Sequence, residues 1–217
     1  MIRADFHIHT EYSPDSVLTV RALLERCEQT GLGLIAVTDH NSIEGGLRAR
    51  EADRIPVIVG EEVTTSQGEL TGLFLTDSVP RGLTATETAR RIKDQGGLVS
   101  IPHPFDVFRR NVITPEALTD VIGLADIVEG FNARNTFSSA NIKAKRLANA
   151  AGLPVTAVSD AHTALEVGRT YTELELQEQV SPEVLLIALA SARLVERPIT
   201  PLIHLITTAT KLRKRLA

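Results

Sequence analysis

Seven short apolar runs alternate with helix-like segments along the whole chain: Ile2–Thr10, Leu34–Thr38, Val57–Gly60, Leu70–Leu75, Leu98–Ile101, Ile127–Gly130 and Val155–Val158. Runs of this length are strands, and regular alternation with helices is the mark of βα units around a mostly parallel sheet. Helix starts are explicit. Thr84 with Glu87 three residues on forms a capping box, and Thr114-Pro115 and Ser181-Pro182 pair an N-cap residue with proline at the first helical position. Gly31, Gly96, Gly97 and Gly152 mark the far ends. At 217 residues, with no solenoid repeat and no linker tract, the expectation is one α/β domain over residues 1–197, its strand count matching a barrel. Residues 198–217 depart from the pattern, PLIHLI leading into KLRKRL, and read as a basic C-terminal helix or tail packed on the same domain.

Composition narrows the partners. A net charge of −4, 4% aromatics and no tryptophan give no footprint for coating long nucleic acid, though short or single nucleotides stay open. Cys27 is the sole cysteine and falls in the helical pattern Leu23, Leu24, Cys27, so it reads as a small core residue without a disulfide. No signal-like apolar stretch opens the chain, and nothing approaches the ~20 apolar residues of a membrane span. The expectation is a cytoplasmic protein without membrane attachment.

Of six histidines, five stand at the end of an apolar run beside a carboxylate or another histidine, in DFHIHT, VTDHNS, SIPHPFD and VSDAHT. His204 is the exception and reads as a core histidine of the tail. Residues two apart on a strand face one side, so His7 and His9 can hold one ion, and Asp160 and His162 repeat the spacing. Asp39-His40 and Glu61-Glu62 end other runs. In a barrel such positions converge on the carboxyl rim of the strands. A pocket of imidazoles and carboxylates is stabilised by divalent cations, and nitrogen with oxygen donors suits Zn, Mn or Fe. More than four ligands imply more than one ion.

The motifs HIHTEYSPD, TDHNSIEG, GEEVTT, IPHPFD, EGFNARN and SDAHTALEVGRTYTEL, in this order over nearly the whole chain, resemble the PHP (polymerase and histidinol phosphatase) superfamily. The resemblance implies a distorted (β/α)7 TIM-like barrel with two or three divalent metal ions at the carboxyl ends of its strands. It implies a first site of His7, His9, Asp160 and a bridging Glu62, with Glu62 preferred to Glu61. It implies another site of Asp15, His40 and His162, with His103 a ligand of the site that shares Glu62. Asp39 would orient His40 or the strand end. Where many relatives have a histidine, QGELTGLFL places Glu69; either Glu69 ligates as a carboxylate or the second site is weaker.

Clustered cations suit phosphoester hydrolysis by in-line attack of metal-bound hydroxide, with Asp160, His162 and His103 as candidate catalytic groups. Arg134, Arg109 and Arg169 are the candidate phosphate contacts. The substrate expected is a small phosphomonoester or nucleotide. A short oligonucleotide, cleaved as by an exonuclease or phosphodiesterase, is the alternative, as is a metal-binding accessory module without turnover; attack on an amide is chemically open as well.

Overall fold

The computed structural model describes the backbone of residues 1–176, 179–200 and 203–216. All seven runs form strands: β1 (Ile2–Ile8), β2 (Leu32–Val37), β3 (Val57–Thr65), β4 (Gly68–Leu73), β5 (Leu98–Ile101), β6 (Ile127–Asn132) and β7 (Val155–Val158). Two short strands, β8 (Tyr171–Leu174) and β9 (Arg193–Val195), complete a nine-stranded sheet of order β7-β6-β5-β4-β3-β2-β1-β8-β9. Pairs β1–β2, β2–β3, β5–β6 and β6–β7 are parallel, whereas β4 runs antiparallel to both neighbours. The reversal has a local cause: β3 and β4 join through the two residues Ser66 and Gln67, too short for the crossover a parallel partner requires.

The sheet curls until the end of β1 meets the segment that follows β7. Ile8 forms an isolated parallel bridge with Ala161, and the His9 amide donates to the Ala161 carbonyl at 2.9 Å. Strand β8 is added antiparallel to β1, and β9, which follows α6 in the chain, pairs antiparallel with β8. The result is a mixed α/β, nearly closed barrel, distorted from the regular βα repeat by the reversed β4 and the appended β8–β9 pair.

The helices are α1 (Val20–Thr30), α2 (Glu44–Glu51), α3 (Ala85–Asp94), α4 (Pro115–Val121), α5 (Ser138–Ala151), α6 (Pro182–Leu189) and α7 (Ile203–Leu216). The Thr84–Glu87 capping box and the Thr114 and Ser181 N-caps form as the residue types dictate. One apolar cluster takes Ala4, Phe6, Leu34, Ala36, Ile58, Leu73, Leu98, Ile127 and Val158 from all seven barrel strands, together with Leu185 and Leu189 of α6. A second packs Ile8, Ile35 and Val37 against Leu23, Leu24 and Cys27 of α1. Burial pushes the Cys27 thiol up to about 12, so it is a packed apolar group.

A change of face within β1 prepares the site. Asp5 pairs with Ile35 and Ile8 with Val37, three steps on β1 against two on β2, which is a β-bulge. Ala4 and Phe6 therefore join the barrel cluster, whereas Ile8 joins the outer layer on α1. His7 and His9 turn toward the interior at the rim. A second bulge in β6, between Glu129, which pairs with Thr156, and Phe131, which pairs with Ala157, does the same for Asn132, while Glu129 already shares the inner face of Ile127.

Helix α7 crosses the rim. Thr207 Oγ1 accepts from Arg134 Nη2 at 3.1 Å, and Lys214 Nζ donates to the carbonyls of Glu11 and Ser13 at 2.7 Å each. The side chain of His204 lies outside the described residues, as do Pro201, Leu202 and Ala217. No described helix is long and apolar enough to cross a membrane.

Candidate metal centre

The five strand-end histidines gather at one rim. His7 Nε2 and His9 Nε2 stand 2.9 Å apart. Glu62 Oε2 lies 3.4 and 3.3 Å from them, and Asp160 Oδ1 lies 3.9 and 3.5 Å away. An ion bonded at about 2.0–2.2 Å to four tetrahedral ligands separates those ligands by about 3.3–3.6 Å. The separations bracket that range, and His7, His9 and Glu62 stand close enough together for one divalent cation, with Asp160 Oδ1 beside the two imidazoles. Glu62 Oε2 and Asp160 Oδ1 are buried and receive no hydrogen bond. Such carboxylate oxygens are costly unless a cation serves them.

The electrostatics agree. Burial works against a charged His7, but Glu129, Glu62 and Asp160 outweigh it and hold the imidazole well above its ordinary pKa. Burial and the fields of His162 and His40 push His9 well below. Burial raises Glu62 and Asp160, yet the surrounding cations hold both well below the usual carboxylate range: His7 and His40 around Glu62, Arg109 and His7 around Asp160. Two ionised carboxylates around imidazole nitrogens constitute a local demand for positive charge.

Glu62 is shared. Its Oε1 meets His103 Nε2 at 2.9 Å while Oε2 lies 3.0 Å from His40 Nδ1. Glu69 Oε1 stands 3.8 Å from His40 Nδ1 and accepts from Asn111 Nδ2 at 2.9 Å. On the other side His40 Nε2 and His162 Nε2 each approach Asp15 at 3.4 Å, through Oδ2 and Oδ1 respectively. His40 is therefore flanked by both groups, and burial notwithstanding, Glu62, Asp15 and Glu69 raise it to about 9. Burial and the neighbouring Glu62 raise Glu69. Among the described residues three overlapping sets have ligand atoms close enough for one ion: His7-His9-Glu62, His40-Glu62-Glu69 and His9-His40-His162. These His and Glu clusters fit divalent metal binding.

Local structure holds the donors. His103 and Asp160 adopt left-handed backbone, φ 29° and 52°, a conformation that costs non-glycine residues energy and clusters at functional sites. Glu129 Oε1 takes the hydrogen bond of His7 Nδ1, which leaves Nε2 to point at the cluster, while Oε2 accepts from the His103 amide at 3.0 Å and Asn132 Nδ2 at 2.9 Å. Asn132 also donates to Asp160 Oδ2 at 3.0 Å, beside the Arg109 guanidinium on the same oxygen. Asp39 does not touch the His40 ring. It accepts from Thr10 and from Ser13 Oγ, and that hydroxyl in turn lies 3.0 Å from both His9 Nδ1 and the His40 amide. A Cβ on Gly45 would fall 2.0 Å from Asp39 Oδ2, so only glycine leaves this network room. Glu61 turns away to Ser78 and the Val79 amide.

Glu129, Asn132 and Ser13 escape the sequence reading. They sit inside EGFN and EYS; the bulge in β6 turns Asn132 inward, the loop after β1 directs Ser13, and Glu129 shares the face of Ile127. Of the three arginines, Arg109 and Arg134 line a cavity of about 360 Å³ with Asp15, His40 and His162. Arg134 is buried, against His162 Nδ1 and 3.5 Å from Glu166. Arg169 is exposed and does not line it. A larger cavity of about 630 Å³ opens at the opposite end of β1–β3 and contains none of these residues.

Comparison with known proteins points the same way. Residues 138–194 match the family model described as PHP-associated. An uncharacterized protein of Methanocaldococcus jannaschii, MJ1587, is 39% identical over 147 residues, 61% of this chain and 82% of that protein. Among solved structures, a two-domain protein containing a predicted PHP-like metal-dependent phosphoesterase from Bacteroides vulgatus superposes with a TM-score of 0.74 at 20% identity, over 90% of this chain and 65% of its own. The lesion-specific endonuclease PfuEndoQ from Pyrococcus furiosus gives 0.60 at 17%, over 92% and 59%. This chain thus spans less than two thirds of either structural relative, and those likenesses speak to the fold. The barrel, its rim of histidines and the matched C-terminal segment together support a PHP superfamily domain.

Proposed function

We propose that the chain is a metal-dependent phosphoesterase acting on a small phosphomonoester or nucleotide. The observation that carries this reading is the pair of orphaned carboxylate oxygens, Glu62 Oε2 and Asp160 Oδ1, facing His7 Nε2 and His9 Nε2. His7, His9, Glu62 and Asp160 would hold one ion; Glu62, His103 and Glu69 a second; Asp15, His40 and His162 a third. Bound there, divalent cations polarise phosphoryl oxygens and lower the pKa of water.

The protein's own groups do the rest. Asn132 and Arg109 fix Asp160 through Oδ2 and leave Oδ1 to the cluster. Glu129 fixes the ring of His7, and Ser13 with Asp39 fixes that of His9. Arg109, partly exposed at the cavity wall, presents a guanidinium fork suited to the phosphate oxygens. Helix α7 supports a small substrate over a short oligonucleotide, because Thr207 and Thr208 wall one side of the cavity and Lys214 ties the helix across the rim.

Purified protein loaded with Mn, Zn or Fe should release phosphate from members of a phosphomonoester panel faster than it releases nucleotides from short oligonucleotides. His9→Ala should abolish that release. Stoichiometric metal without turnover on either panel would make the chain a binding module and end the enzyme reading; the opposite ranking would make it a phosphodiesterase.

A further inference from the structure

Two phenylalanines are exposed beside the cavity, Phe108 in its wall and Phe137 next to Phe108. Phe108 is 64% exposed and Phe137 56%, and their ring centroids lie 5.5 Å apart at an interplanar angle of 58°. They come from different loops: Phe108 follows β5, and Phe137 precedes the first residue of α5. Neither belongs to an apolar core cluster. In a chain with only six phenylalanines and no tryptophan, a convergent exposed pair beside a charged cavity is not explained by packing.

The loop geometry separates two neighbouring side chains. Asp106 Oδ1 accepts from the Phe108 amide at 3.2 Å and its carbonyl accepts from the Arg109 amide at 3.1 Å. From this turn Arg109 reaches inward to Asp160, while Phe108 lines the cavity at its outer side. A substrate whose phosphate meets Arg109 and the histidine cluster would place its alcohol portion against Phe108. Flat rings stack on exposed aromatic faces, and every nucleobase has such a face. Thr136, Thr207 and Thr208, also in the cavity wall, offer hydroxyls to the edges of a polar ring.

We propose that Phe108 and Phe137 form a stacking subsite for a flat heteroaromatic ring in the alcohol portion of the substrate. The preferred ester is then one built on a nucleoside, not on an aliphatic polyol. This inference rests on the phosphoesterase reading, and its test has a binding arm independent of turnover.

Phe108→Trp gives the metal-loaded chain a single tryptophan. Its fluorescence should be quenched saturably by a non-hydrolysable phosphonate analogue of adenosine monophosphate, and much less by ribose 5-phosphate. In kinetics, Phe108→Ala and Phe137→Ala should each lower the ratio of kcat/KM for adenosine monophosphate to that for glycerol phosphate by about tenfold, within the range of losing one base–aromatic stack. Equal quenching by both ligands, no quenching, or a ratio unchanged within about twofold would overturn the subsite. Turnover without ring preference removes the subsite and leaves the phosphoesterase reading standing. Selective quenching without turnover on any phosphoester keeps the ring site and removes that reading.

Discussion

Glu62→Gln loses at least one metal ion per chain, and phosphoester hydrolysis falls by more than about 100-fold, the upper figure for losing a mere outer-layer partner of a metal ligand. Both oxygens of Glu62 are committed, Oε1 to His103 and Oε2 toward His7, His9 and His40. A carboxamide keeps the shape but replaces one oxygen with an NH₂ that can neither ligate nor accept. It also removes one of the charges that offset the buried imidazoles. Metal content by inductively coupled plasma mass spectrometry, measured beside phosphate release, checks this. Unchanged stoichiometry and rate would show that Glu62 does not bridge the centre.

Glu129→Gln is the second large effect. Glu129 touches no other carboxylate of the cluster, yet it accepts from His7 Nδ1, the His103 amide and Asn132 Nδ2. Glutamine has one oxygen for these three donors, and its NH₂ must face at least one of them. The ring of His7 and the left-handed backbone at His103 then lose their support. Metal affinity should fall about 10–100-fold, read by competition with a chromophoric chelator. Circular dichroism should stay native, because the change is isosteric. Affinity within about twofold of the parent would remove Glu129 from the supporting layer.

The two residues differ in how visible they are from sequence. His7, His9, His40, His103, Asp160 and His162 announce themselves because each ends an apolar run, and the ends of barrel strands must converge. Glu62 is legible beside Glu61 only through the resemblance to relatives; the structure separates them physically, by the hydrogen bonds of Glu61 to Ser78 and Val79. Glu129 lies within a strand on the same face as Ile127, but the short apolar run does not say which of its two faces is the interior. One extra residue in β1 shifts the inward period from even to odd positions, one in β6 shifts it from odd to even and brings Asn132 beside Glu129, and no propensity records either shift.

The fold was legible to a similar depth. Periodicity located all seven barrel strands, since each is a continuous buried run. The direction of β4 was not readable from its own residues, because direction is set by the length of the connection to β3. Strands β8 and β9 escaped notice for another reason: YTEL and RLV are short and partly polar, and they pair only once β1 offers an outer edge. Phe108 and Phe137 carry no strand or helix pattern, and their approach to each other depends on two loops far apart in sequence.

The most direct measurement is anomalous scattering from crystals of the full chain grown with manganese or zinc. A peak is expected among His7 Nε2, His9 Nε2, Glu62 Oε2 and Asp160 Oδ1, with further density near His103 and Glu69, or near Asp15, His40 and His162. Bound metal elsewhere on the protein, with no peak among those four atoms, would contradict the proposed centre.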